Sequence, residues 1–329
     1  MKKLKIGILG TSNHYMKRIV LPLKETQYCE SYAIGSRDIE KAAGLAREFD
    51  LPLWYGSYEA VLKDGDVDMI YIPLPNHMHK EWVDRSLEEG KPVLCEKPLG
   101  MNTQEAMEMV DKSRETNVPL MEGFMYMFHP MWQHARDIVR TGQIGGIQYI
   151  HTSFSYNNPS PQNIRNIPEY GGGALMDIGC YAISVPRFIM GAEPERVMSF
   201  ISHHPEFGTD MHTSGILDFG GPRATFAVST ASQPFQRVDI VGSSGSITVH
   251  VPFNTYVDVP AVITVTDGIG TRDIKFPVCN AYGLMFDSFA RAVEEQGPLP
   301  VSLKDAVDNM KVIDAVRQSA RSGDWIKNG

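Results

Sequence analysis

Polar and apolar positions in the first 125 residues alternate between two patterns. Short, nearly all-apolar runs at 4–10, 31–35, 67–72 and 93–95, with a further one near 118–121, predict buried strands. Between them the apolar positions recur at helical spacing, over 13–24, 38–49, 77–89 and 103–115. Asp38 is an expected N-cap and Gly90 an expected helix stop. This strand–helix rhythm predicts an α/β domain with a doubly wound parallel sheet and right-handed crossovers. After about residue 145 the pattern changes. Half-exposed strands are expected at 147–156, 197–202, 214–219, 224–229, 237–241, 246–249 and 262–266, broken by turns such as Gly220-Gly221-Pro222. Helices are expected at 174–190, 283–295 and 304–321. The second domain is thus α+β with a large, mostly antiparallel open sheet. The expected division is 1–124 and 125–329, as a chain of 329 residues is too long for one ordinary core.

Composition narrows the class. Hydrophobic residues make up 43% and charged residues 21%, a globular balance. A net charge of −8 argues against a nucleic-acid surface, which needs a positive footprint. Cys29, Cys95, Cys180 and Cys279 stand in no metal-ligand spacing, so no metal site is expected, and their scatter suggests free thiols in a reducing compartment. The chain enters its first strand without an apolar leader, and no apolar run of membrane-spanning length is expected; the location read from this is cytoplasmic. An open sheet with one bare face favours a homodimer or homotetramer built through it.

The candidate chemistry gathers where strands of the first domain end, the edge at which open α/β sheets bind ligands. Gly7-Ile8-Leu9-Gly10-Thr11-Ser12-Asn13-His14-Tyr15 is a degenerate dinucleotide loop. Gly10 fills the first glycine position, while Ser12 and Tyr15 replace the other two. It stands where a pyrophosphate meets a helix N-terminus in a Rossmann domain. The second strand ends in Ser36-Arg37 rather than in a carboxylate, which suits a ribose 2′-phosphate and so NADP over NAD. Pro73-Leu74-Pro75-Asn76 forms a rigid loop that would lie along the cofactor. His77 and His79 follow it as helix-start residues with no ligand partners for a metal. Finally, Glu96-Lys97-Pro98 sets a carboxylate, an ammonium and an imide at a strand end. A lysine in such a place can move a proton.

With that loop and strand order, the chain resembles the Gfo/Idh/MocA family of NAD(P)-dependent oxidoreductases. Glu122-Gly123-Phe124-Met125-Tyr126 with His129-Pro130 resembles the family's interdomain strand. The run from Gly171 to Tyr181 resembles its second-domain helix. The branch resembled is that of dihydrodiol dehydrogenases, NADP-dependent D-xylose dehydrogenases and glucose–fructose oxidoreductase, with Tyr181 where inositol dehydrogenases carry histidine. Ser12, Tyr15 and Met127 depart from the pattern, and Ser12 also occurs in sugar-nucleotide 3-ketoreductases. The resemblance implies cofactor contacts from Gly10, Thr11, Ser12, Asn13, His14, Ser36, Arg37, Pro73, Leu74, Asn76, His79, Glu96 and Lys97. The triple glycine is expected to let backbone approach the ligand, and Asp177 and Tyr181, four apart, to share a helix face. Lys97 and Tyr181 are the expected proton relay, with Asp177 binding a substrate hydroxyl or orienting Lys97. Tyr156, Arg165 and Tyr282 are further candidates for the substrate pocket. The function implied is NADP-dependent hydride transfer to or from a sugar or cyclic diol. A keto-sugar or sugar-nucleotide ketoreductase is the alternative, and a cofactor-binding sensor the alternative of another class.

Overall fold

The computed structural model describes residues 2–256 and 258–328. The chain divides into two compact units, Met1–Met125 with Asn280–Val307, and Tyr126–Cys279 with Asp308–Gly329. The first crossing, at Met125, falls one residue from the expected division. The second element of the first unit, Asn280–Val307, returns from far along the chain.

In the first unit six strands form one parallel sheet: β1 (Leu4–Leu9), β2 (Cys29–Gly35), β3 (Leu53–Tyr55), β4 (Met69–Ile72), β5 (Val93–Cys95) and β6 (Leu120–Glu122). Their order is β3-β2-β1-β4-β5-β6, reversing direction between β1 and β4. That is a doubly wound sheet with its ligand crevice at the switch point. The strands β4 and β5 are buried at every position, as strands covered on both faces must be. The connecting helices are α1 (Val20–Lys24), α2 (Ile39–Phe49), α3 (Tyr58–Leu62), α4 (His79–Glu88) and α5 (Thr103–Thr116). Asp38 caps α2 by accepting from the amides of Glu40 and Lys41. Asn102 caps α5 by accepting from Glu105. The short pair β3 and α3 is not foreseen from the sequence, because three half-exposed residues and five helical ones carry too little period to register.

In the second unit, nine strands form a mixed sheet ordered β14-β13-β12-β11-β7-β10-β9-β8-β15. They are β7 (Ile147–Asn157), β8 (Arg196–His203), β9 (Asp210–Asp218), β10 (Arg223–Ser229), β11 (Ala231–Gly242), β12 (Ser246–Val249), β13 (Ala261–Asp267), β14 (Gly270–Phe276) and β15 (Ile326–Lys327). All pair antiparallel except β7 with β10. Alternation sets the faces. Ile150, Thr152 and Phe154 of β7 point inward, while Tyr149, His151, Ser153 and Ser155 point outward. The helices are α6 (Pro130–Arg140), α7 (Cys180–Met190) and most of α9 (Leu303–Ser322); α8 (Ala281–Glu294) belongs to the first unit. The helix α6 goes unforeseen, although His129 caps it and Pro130 opens it.

One expectation is corrected. By length and composition the stretch Pro168–Met190 is apolar enough to cross a membrane, but 83% of its apolar 18-residue window is buried inside the structure, as in a core helix. Its apolar residues face protein on every side, which removes the polar stripe a surface helix would show.

Candidate active site

Both helices that open at the expected site begin with a turn of π-helix, over Tyr15–Ile19 and Leu175–Gly179. Such turns are rare and concentrate at functional positions.

The glycine loop of the first unit explains its own departures from the common pattern. Gly10 sits at φ +109°, and a β-carbon there would come within 2.8 Å of Leu74 Cδ2. The position therefore needs glycine on both counts. Ser12 is the helix cap: its Oγ accepts from the Tyr15 amide at 3.1 Å and its carbonyl from Met16 at 3.2 Å. Tyr15, where a small residue is usual, is wholly buried and donates to Ser31 Oγ on β2 at 3.1 Å. Thr11 and Asn13 stand at the loop surface. A glycine turn that opens directly into a helix fits the pyrophosphate of a dinucleotide.

At the tip of β2, Ser36 is buried and its Oγ accepts from the Asp38 amide, while Arg37 is exposed. Burial pushes the Tyr58 hydroxyl up, and the hydrogen-bonded Arg37 guanidinium partly offsets that. Tyr58 is a site residue the sequence does not reveal: its hydroxyl also lies 3.7 Å from where a β-carbon on Gly10 would stand. Arg37→Ala is expected to weaken NADP binding about tenfold or more while leaving NAD binding nearly unchanged, as checked by fluorescence titration of each cofactor.

The turn after β5 is gripped from two sides. The Lys97–Pro98 peptide is cis. His79 is fully buried, with Nδ1 3.0 Å from the Pro98 carbonyl and Nε2 2.9 Å from the Leu74 carbonyl. It thus has no surface to offer a cofactor, and its expected contact role is corrected to bracing the 73–76 loop against the 97–99 turn. Glu122, buried at the end of β6, accepts from the Leu99 amide at 2.7 Å through Oε1. Glu96 is buried next to Lys97, and its Oε1 accepts from the Tyr71 hydroxyl at 2.8 Å. Lys97 itself is half-buried at the carboxyl edge of the sheet. Pro73 and Leu74 are buried; Asn76 is half-buried. Tyr282 lies in this unit, its ring 5.5 Å from that of His14. It thus stands beside an expected cofactor residue of its own unit.

The second unit brings Tyr156, Arg165, Asp177 and Tyr181 together. Arg165 Nε is 2.9 Å from Asp177 Oδ1, and the Tyr156 hydroxyl donates to Asp177 Oδ2 at 2.5 Å. The Asp177 carboxylate holds Arg165 charged; that hydroxyl is pushed well up, first by burial and then by the same carboxylate. With both oxygens engaged, Asp177 acts as the anchor of a clamp, which narrows its expected role as a substrate-binding group. The tyrosine of the clamp stays protonated at any working pH. Tyr181 is 5% exposed and packs on Phe253 at 4.9 Å and Phe154 at 6.1 Å between ring centroids. It also lies close enough to Arg165 to interact electrostatically. Asp177→Asn is expected to release the Arg165 side chain and lower kcat/KM by 10²-fold or more, read from steady-state rates.

The glycine run has a different job from the one expected. A β-carbon on Gly172 would meet the Arg165 carbonyl at 2.5 Å, and one on Gly173 would meet Asp210 Oδ1 at 1.8 Å. The close approach is to the chain itself. Asp210 then caps the helix, accepting from the Leu175 amide at 2.6 Å and from Thr213 at 3.0 Å.

Comparison with known proteins agrees with this architecture. Residues 4–124 match the oxidoreductase family with an NAD-binding Rossmann fold, and residues 132–248 match the GFO/IDH/MocA C-terminal domain. The chain is 35% identical to D-xylose 1-dehydrogenase (NADP(+)) 2 of Haloferax volcanii, over 96% of this chain and 97% of that one. It is 37% identical to trans-1,2-dihydrobenzene-1,2-diol dehydrogenase of Xenopus tropicalis, over 65% of each. Among solved structures it is similar to KijD10, a 3-ketoreductase from Actinomadura kijaniata in complex with NADP and TDP-benzene, with a TM-score of 0.90, 29% identity, and 97% and 98% of the two chains covered. The chain belongs to the GFO/IDH/MocA family of oxidoreductases.

Proposed function

We propose that this oxidoreductase uses NADP to transfer a hydride to or from a ring carbon of a sugar or cyclic diol. The observation that carries this is the buried Glu96 and the half-buried Lys97 at the carboxyl end of β5, with Lys97–Pro98 held by His79 and Glu122. NADP is favoured by Ser36, Arg37 and Tyr58 at the tip of β2, where a carboxylate would repel a 2′-phosphate. When bound, the cofactor supplies the hydride acceptor or donor.

The chain's own residues move the proton and fix the geometry. Lys97 is the proposed proton donor or acceptor, its ammonium standing beside the Glu96 carboxylate. On the second unit, Tyr181 is the partner that stabilises developing charge on a substrate oxygen. Arg165, held by Asp177, presents its remaining N–H groups to hydroxyls. The buried aromatic cluster of Phe154, Phe253 and Tyr126 packs round Tyr181 and fixes its ring. Gly10 and the loop to His14 hold the pyrophosphate.

Ser12 and the full-length similarity to a 3-ketoreductase favour a second reading, reduction of a nucleotide-linked keto sugar. Following NADPH absorbance separates the two. Reduction of NADP by free aldoses or trans-diols supports the first, whereas turnover only with a nucleotide-linked keto sugar supports the second. Cofactor binding with no turnover on either panel would leave a sensor.

The proposed assembly is a homodimer through the outward face of the nine-stranded sheet, where Tyr149 and Phe235 are 49% and 55% exposed. A cytoplasmic location accords with four free thiols. Sedimentation equilibrium tests the assembly.

A further inference from the structure

Beneath the 96–98 turn lies one hydroxyl to which the proton and hydride steps assign no part. Tyr71, on β4, is fully buried, and its hydroxyl donates to Glu96 Oε1 at 2.8 Å. Its ring is fixed by Phe286 of α8, edge-on at 5.0 Å, and by Tyr15 at 6.4 Å between centroids. Among the described residues this hydroxyl is the one aligned hydrogen-bond donor to the Glu96 side chain. His14 Nε2 stands 3.3 Å from the same oxygen but without the alignment of a hydrogen bond. Oε2 accepts from none of the described residues, and it is not sealed from solvent. Burial pushes the Glu96 carboxyl up, and His14, Lys97 and the Tyr71 hydroxyl together more than reverse this. The other titratable groups near it are Cys95, Tyr282, His79 on α4 and, beyond Cys95, Glu122 on β6.

A buried carboxylate needs a donor to replace lost water, and a donor on one oxygen also decides where the other points. We propose that Tyr71 is a positioning residue for Glu96: its hydroxyl takes Oε1, fixes the carboxylate and leaves Oε2 turned to the cofactor edge of the site. The inference rests on the Glu96-Lys97 turn as the reacting edge. Its sign is fixed. A hydrogen bond to the ionised form favours that form, so without the hydroxyl Glu96 takes up its proton at higher pH. Where a carboxyl titrates, the tyrosine is protonated and able to donate, since burial and Glu96 push its hydroxyl well up. A lysine ammonium is charged throughout that range. The sign does not depend on the charge of His14, whose imidazole is the same with and without the hydroxyl.

The test is Tyr71→Phe, which keeps the ring contacts and removes only the hydroxyl. The full-length protein is labelled with ¹³Cδ-glutamate and titrated downward from pH 7 by NMR, without cofactor or substrate. The Glu96 signal is the one lost in Glu96→Gln. In Tyr71→Phe its midpoint is expected to rise by about 1 pH unit. NADP affinity, read by fluorescence titration, is expected to weaken about three- to tenfold in Tyr71→Phe. In the Glu96→Gln background the same change is expected to cost less than about twofold, because the hydroxyl acts through the carboxylate. The proposal is overturned by a midpoint that is lowered or unchanged, including a carboxylate ionised in both proteins down to the acid limit of folding. It is overturned equally by an NADP affinity that is unaltered, or altered as much or more in Glu96→Gln, which would be a packing effect. Should Tyr71→Phe not fold, Tyr71→Met, which also lacks the hydroxyl and fills irregular space, decides instead. The catalytic reading fails on a separate result, full turnover by Lys97→Met, so the two failures cannot be confused.

Discussion

Lys97→Met is expected to bind NADP with near wild-type affinity and to lose about 10²–10⁴-fold in kcat, the usual worth of one positioned general acid–base group. Methionine keeps most of the stem's length and apolar volume, so packing in the turn survives. The variant removes only the ammonium. The turn should hold because its grips are to backbone: His79 on the Pro98 carbonyl and Glu122 on the Leu99 amide. Glu96 then loses one of the charges that keep it ionised, and a modest fall in cofactor affinity at low pH is expected with it. Steady-state rates on the substrate panel and a parallel binding titration check both halves. Retained turnover would remove Lys97 from the chemistry, and equal losses in binding and rate would make it a cofactor contact.

Gly173→Ala is expected to destabilise the second unit by about 3–5 kcal/mol, among the larger effects a single residue can have. Two costs add. The residue stands at φ +114°, a conformation that L side chains rarely adopt. Its β-carbon would also stand 1.8 Å from Asp210 Oδ1. Moving Asp210 away breaks its bond to the Leu175 amide and uncaps the helix that carries Asp177 and Tyr181. Activity should fall with stability, even below the unfolding midpoint, because the clamp rides on that helix. Gly146→Ala, with no atom within 4 Å of its would-be β-carbon, should change stability by only about 0.5 kcal/mol. Urea unfolding of both variants gives the comparison. A loss under about 1 kcal/mol in Gly173→Ala would mean that Asp210 moves freely and caps nothing of consequence.

Much of the site is legible in the sequence because strand ends in an open α/β sheet are where polar residues interrupt apolar runs. Glu96-Lys97 after Val93-Leu94-Cys95 and Ser36-Arg37 after Ala33-Ile34-Gly35 are such interruptions, and both fall at carboxyl ends of parallel strands. The helix at 174–190 is equally legible, from its glycine start and unbroken apolar period; the structure adds that its first turn is π. What escapes is any residue whose role depends on a contact distant in sequence. Tyr58 reaches Arg37 from a one-turn helix too short to read, and Glu122 reaches Leu99 across two strands. Asp210, on the opening residue of β9, meets Leu175, thirty-five residues away. His79 reads as a helix-start residue and a cofactor contact, and its burial is set by the 73–76 loop and the 97–99 turn, whose carbonyls it meets.

The sequence by itself determined the two sheets and their parallel and mostly antiparallel character, since periods of 2 and 3.6 are local properties of a chain, while the family was read from the resemblance of its motifs. It also determined the chemical types at the strand ends. Tertiary structure alone decided what those groups do to one another. The Asp177 carboxylate became an anchor because Tyr156 and Arg165, remote in sequence, consume both its oxygens. The glycine run became a close-packing device because Asp210 and the Arg165 carbonyl occupy the space a β-carbon would need. Electrostatic and steric effects act through space over a few ångströms, and only the folded chain sets those distances.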